Sequence, residues 1–202
     1  MSLKGNFRLT LLNSETLIWC LFFALVSVSS CWGRSAVQGR DFENKEYSFR
    51  VSIPNGLPVC VGESGTHPHG VGTRLDKKSC DEKESGPAFS IWADYNAAFQ
   101  VNALVRLQNG TSCGNSTVAW AQQAWQSIGG LKTAMCQVQH SDGKVEIVLA
   151  SQAGRWGPSF GDEKDLPRIN YTVYLYTTKS RMNDDIELFR AFLKSIKISE
   201  AS

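Results

Sequence analysis

The sequence predicts an α+β domain: an antiparallel sheet flanked by helices and stapled by disulfides. Three observations lead there. Short segments that alternate apolar and polar residues recur along the chain, two segments carry apolar residues at helical spacing, and four cysteines are left to pair once the N-terminal region is set aside. The 202 residues are 42% hydrophobic and 20% charged, which suits one domain with its own core. Net charge is only +2 with the signs interspersed, so there is no basic stripe to track a phosphate backbone, and nucleic acid is not an expected partner.

The first thirty residues differ from the rest. Lys4 and Arg8 precede the apolar run 17–28, "LIWCLFFALVSV", which has the order of a secretory signal and is short for a membrane span. The run ends in "VSSC", residues 28–31, which resembles the bacterial lipobox. That resemblance implies cleavage before Cys31 and lipidation of Cys31, with residues 1–30 as signal peptide. Acyl burial, worth about 0.8 kcal/mol per methylene, would then hold the protein to a membrane. Trp32 rather than Asp after the cysteine matches outer-membrane sorting. The expected location is therefore the periplasm, lipid-anchored at the outer membrane.

Residues 31–45 are expected to be the lipidated cysteine and a polar tether, and residues 46–202 the globular domain. "EYSFRVSIPNG" opens it as a half-buried strand, with Tyr47, Phe49, Val51 and Ile53 on one face and a turn at Asn55-Gly56. Residues 57–76 read as a Gly/Pro-rich loop entering a strand, and 77–87 as a charged connection. "AFSIWADY", 88–95, is a strand in which Trp92 is assigned to the core. Residues 97–108 fit either helix or strand. In residues 117–128, Trp120, Ala121, Ala124, Trp125 and Ile128 form a helical stripe stopped by Gly129-Gly130.

Residues 131–139 and 144–151 make a hairpin around "HSDG". Residues 152–168 form a long Gly/Pro-rich loop, and such loops are often functional. "INYTVYLYTT", 169–178, is apolar or aromatic on both faces and is expected at the sheet centre. The final segment is a helix with an Asp184/Glu187 capping box and a buried stripe of Ile186, Phe189, Leu193 and Ile196.

The opening "YSFRVSIPNG", the helix at 117–128, the hairpin, and the ending "YTVYLYTT…IELFRAFLKSIKI" together resemble the PsbP-like fold, an α/β/α sandwich. The resemblance implies a binding or assembly role and transfers no catalytic residue. The segment between Cys60 and Cys80 has no place in that pattern.

Export agrees with the cysteines. Cys60, Cys80, Cys113 and Cys136 form an even set, and two disulfides are expected. Three connectivities are possible. Cys60 with Cys80 and Cys113 with Cys136 is favoured because each pair closes a short loop.

The candidate chemistry is sparse. "GTHPHGVG", 65–72, holds His67 and His69, and His140 could complete a three-nitrogen metal set for a periplasmic enzyme. Against this, Pro68 and the flanking glycines favour a turn, and neither metal nor cofactor is expected. No Gly-x-Ser-x-Gly elbow or phosphate-cradling glycine loop occurs, and the pairs Asp81/Glu82 and Asp162/Glu163 read as solvated. The leading expectation is a non-enzymatic lipoprotein that binds and neutralises a protein partner, a toxin or cell-wall hydrolase, in the manner of an immunity or inhibitor protein. His67, His69, Arg155, Trp156 and Phe160 are its expected contact residues, because stiff loops bearing Trp and Arg make favourable anchors. A structural subunit of an envelope assembly is the remaining alternative.

Overall fold

The computed structural model describes residues 39–61, 69–80 and 86–199. The signal region, the lipidation candidate Cys31 and His67 lie outside them. Among the described residues, no helix is long and apolar enough to cross a membrane.

Two antiparallel sheets form the scaffold. The smaller joins β1 (Gly39–Asn44), β2 (Phe49–Pro54) and β10 (Lys197–Ile198) in the order β1-β2-β10. The larger contains β3 (Cys60–Val61), β4 (Gly70–Arg74), β5 (Ala88–Tyr95), β6 (Ala119–Trp120), β7 (Ala134–Gln139), β8 (Lys144–Ala153) and β9 (Ile169–Thr178), ordered β3-β4-β5-β9-β8-β7-β6. β9 is central, as its two apolar faces require. Helix α1 (Ala103–Gly110) lies against β7 and β8, and helix α2 (Met182–Ser195) packs against β2 and β9. The α+β architecture with a helix on each side of the sheet is therefore the one expected.

The alternation of β5, β8 and β9 assigns their faces. Phe89, Ile91, Ala93, Leu149, Tyr171, Val173 and Leu175 point to the main core, where they meet Tyr47 from the turn before β2, Phe49, Val51 and Ile53 from β2 and Phe189, Phe192 and Leu193 from α2. Aromatic contacts knit this side: Phe89 lies 4.5 Å from Phe192, and Phe49 meets Tyr171 edge-on at 6.2 Å. The opposite face carries a smaller cluster in which Leu107 and Ala103 of α1 cover Ala134, Val148 and Ala150. Cys113–Cys136 sits inside that cluster and Cys60–Cys80 closes the β3–β4 segment, the favoured pairing.

Four local expectations are corrected. Part of the segment read as tether is strand β1, which pairs along its length with β2. Residues 117–128 do not form a helix: Trp120 pairs with Ala134 as a strand, and only a short 3₁₀ turn, Ala124–Gln126, follows. The helix on this face is α1, whose Asn102 side chain accepts the Val105 N–H. It already covers β7 and β8, so the aromatic stripe is shared among other partners. Lys132 lies over Trp120, Arg190 lies over Trp125, and Ile128 alone of the stripe is fully buried.

Trp92, assigned to the core, is 41% exposed: it shares a face with Ser90 and Asp94, where α1 sends only Arg106 across to Asp94 and the Trp92 indole N–H donates to Ser90. The α2 capping box is also absent. The helix starts at Met182, and buried Asp185, rather than Asp184, accepts the Thr177 hydroxyl and the Arg181 guanidinium. Glu187 pairs instead with Arg190.

Candidate partner-binding surface

At one end of the large sheet, where β5 finishes and β4 and β9 begin, aromatic rings from four segments touch in series. His69, just before β4, lies 5.3 Å from Tyr47, and Tyr47 lies 5.1 Å from Tyr95 at the end of β5. Tyr95 is followed by Trp156 at 6.2 Å, and Trp156 packs on Phe160 at 4.5 Å and Phe99 at 5.7 Å. Arg168 caps the row from above Tyr95, 5.4 Å from its ring. The segment holding His69 and the 152–168 loop thus form one continuous surface, although eighty-seven positions separate His69 from Trp156.

Local chemistry fixes each contributor. The Ala93 N–H donates to the His69 carbonyl at 2.8 Å, which extends the β4–β5 ladder and pins the backbone beneath the imidazole. Tyr47 is buried, its carbonyl accepts the buried Tyr171 hydroxyl, and its own N–H donates to Asn44 Oδ1. Burial, followed by the nearby Glu46 carboxylate, pushes the Tyr47 phenol up to about 12, and burial alone does the same for Tyr171. Both phenols stay neutral across the physiological range.

Asn96, fully buried, is the clamp. Its amide donates to the Gln100 and Pro167 carbonyls, its Oδ1 accepts the Gln100 N–H, and its backbone N–H bonds the Arg168 carbonyl. One side chain therefore ties the turn after β5 to the end of the 152–168 loop. Within that turn Phe99 has φ of 49°, a left-handed conformation unfavourable for a bulky residue, and it places the ring against Trp156. The loop itself is not structureless: Pro158–Asp165 form 3₁₀ turns that kink at Phe160 and Gly161, where φ is 57°. The Arg155 guanidinium donates to the Asp165 carbonyl at 2.7 Å across the loop base.

Exposure divides this surface into anchor and contact. Tyr47 is inside, His69, Tyr95, Phe99 and Trp156 are half-buried, and Arg155 and Phe160, the latter 42% exposed, face solvent. The Trp156 indole N–H is buried without a hydrogen-bond partner.

The structure brings together His69, Arg155, Trp156 and Phe160 of the expected contact residues. It does not bring together the alternative histidine set. His69 is level with Ala93 and Tyr171, whereas His140 follows Gln139 and bonds Lys144, which is paired with Thr178. The seven residues from Tyr171 to Thr178 correspond to roughly 23 Å of strand, so the two rings cannot share an ion. His140 instead faces Glu146, with Nε2 to Oε2 at 3.4 Å. Among the described residues no group of three His, Cys, Asp or Glu side chains is placed to hold a metal.

Tyr47, Asn96 and Phe99 belong to the surface but are not assigned to it by the sequence. Asn96 directly after an alternating strand is a turn signal that could have been followed. Nothing in the sequence reveals the left-handed Phe99.

No protein-family model matches the chain, and no curated protein matches it in sequence. Among solved structures, the chain is similar to cyanobacterial PsbP (CyanoP) from Synechocystis sp. PCC 6803, with a TM-score of 0.45 and 12% identity over 86% of this chain and 99% of that one. It is also similar to the Ran-binding protein Mog1p of Saccharomyces cerevisiae, with a TM-score of 0.42 and 10% identity over 81% of this chain and 97% of that one. A mutant of protein Mog1 gives 0.43 and 8% with the same coverage.

Proposed function

We propose that the protein is an exported, lipid-anchored envelope protein that binds a protein partner through the His69–Trp156 surface and neutralises it. The partner is a toxin or cell-wall hydrolase in the periplasm. The observation that carries this reading is the convergence of two separately marked loops on one row of aromatic rings. Arg155 and Phe160 stand out from that row, while Tyr47 and the Asn96 clamp hold it from below.

Three physical features support it. Trp, Tyr and Arg are the residue types that carry most interface energy. A surface already ordered by the buried Asn96 hydrogen bonds loses little further freedom on binding, so more of the contact energy appears as affinity. The "VSSC" sequence and the disulfides both suit an envelope location.

The test has two arms. Purified protein is assayed for inhibition of periplasmic cell-wall hydrolases and of toxins encoded beside its gene, with wild type compared with Trp156→Ala and His69→Ala. Wild type should inhibit one of them, and Trp156→Ala should weaken that inhibition by about thirtyfold, the scale of a hot-spot truncation. Unchanged inhibition by both variants would remove the surface from the proposal. For the anchor, Cys31→Ser should abolish labelling by radioactive palmitate and release the protein from the membrane fraction.

A further inference from the structure

A second feature lies at the opposite end of the sheet. A cavity of about 480 Å³ opens between the β7–β8 turn and the 86–87 segment, lined by Gly86, Pro87, His140, Glu146, Tyr176 and Thr178 among others. Its size falls within the range of small-molecule sites. The register explains its walls: Val138, Glu146, Tyr176 and Ala88 are paired successively across β7, β8, β9 and β5, so their side chains share one face.

Glu146 is the informative residue. It is only 3% exposed, and a buried carboxylate costs several kcal/mol unless a cation or strong donors meet it. Two cations close to the cavity among the described residues are engaged with other carboxylates. Lys144 pairs with Asp142 at 2.7 Å, and Arg74 pairs with Asp76 at 2.7 Å behind Gly86, where an added Cβ would touch both side chains. What faces Glu146 is His140 at 3.4 Å and the Tyr176 phenol, held above its ordinary range first by burial and then by this carboxylate. Among the described lining residues Lys144 and Asp142 offset each other, which leaves Glu146 as the carboxylate without a Lys or Arg partner. Tyr176 itself is 43% exposed and stacks on Tyr174 at 5.8 Å, so an aromatic wall stands beside the anion.

We propose that this cavity binds a small organic cation, an ammonium or guanidinium group on a short stem, with Glu146 as its counter-ion and the Tyr176 ring as its π-face. A bare metal ion is the poorer fit, since it needs several oxygen or nitrogen donors at once, whereas an organic cation needs one anion and an aromatic surface. The cation is either a free amine or the Lys or Arg side chain of a protein.

The probe is agmatine, titrated into the purified protein and followed by amide NMR and calorimetry. Saturable shifts are expected at Gly86, His140, Glu146 and Tyr176. Glu146→Gln, which keeps the shape of the side chain, should weaken binding about tenfold or more, the worth of a charge-assisted contact. Tyr176→Leu, at a half-exposed position, should weaken it several-fold, and Trp156→Ala at the other end should leave it unchanged. A lysine-bearing peptide that competes with agmatine assigns the site to a protein side chain, and a peptide that does not compete assigns it to a free amine. Absence of saturation, or equal binding by folded Glu146→Gln, overturns the proposal.

Discussion

The two faces of the large sheet are finished differently. One is covered along its length by α2 and the smaller sheet, and the largest fully buried side chains there include Tyr47, Phe49, Phe89, Tyr171, Phe189 and Phe192. Among the described residues the other is covered mainly over β7 and β8, by α1 and the Cys113–Cys136 bond, with Tyr174 of β9 at its edge and Arg106 of α1 paired to Asp94 of β5, and Trp92 and Tyr176 remain more than two-fifths exposed. Stability is concentrated on the first face. The second keeps aromatic surface and a buried carboxylate that the core has no use for.

This contrast breaks most directly at Phe192. Phe192→Ala removes a ring packed against Phe89 and Phe189 on the covered face and should cost about 3–5 kcal/mol in urea unfolding. Leu107→Ala is the matching cut on the half-covered face. Its smaller cluster can collapse into the space more easily, so about 2 kcal/mol is expected by the same measurement. A loss equal to that of Phe192→Ala would mean that the two faces contribute alike.

Asp76 offers a smaller effect that depends on pH. The Arg74 guanidinium bonded to it lowers its pKa from 3.8 to about 2. The folded value lies below the unfolded one, so the pair stabilises the protein above 3.8 and the contribution is lost as pH falls to about 2. Unfolding curves of wild type and Asp76→Asn should therefore be separated near neutral pH and converge in acid. The smallest effect is expected for Trp92→Ser, within about 0.5 kcal/mol by thermal melting, because its side chain rests on the uncovered face. A larger loss would show that this face is structurally closed.

The sequence was legible wherever one residue pattern had one physical solution. The alternation of 47–53, 88–95 and 169–178 places those strands, because a one-residue slip would turn every apolar side chain to the wrong face. The α2 stripe and the disulfide pairing followed from equally local arguments. The stripe at 117–128 misled because helical spacing says that a segment is able to cover a sheet, not that the sheet beneath is still uncovered. That is decided by α1, which residues 97–108 left open between helix and strand. At the binding surface, His69 and Trp156 were legible as loop residues in unusual settings. Their meeting through Tyr47 and Tyr95 was not, since it depends on the β1–β2 turn of one sheet reaching the end of β5 in the other.

The smaller sheet has a consequence for the order of assembly. Its middle strand is flanked by a strand from near the start of the described chain and one from its last residues: Phe49 is paired with Asn44 on one side and Ile198 on the other, and Ser195 bonds the Ser52 backbone. That sheet cannot be complete until residue 198 has left the ribosome, long after β1 and β2. Such distant closure is slow compared with hairpin formation, and until it occurs β2 presents an open edge. Loss of β10 would thus expose the edge of a strand some 150 positions upstream, at a distance set by the topology.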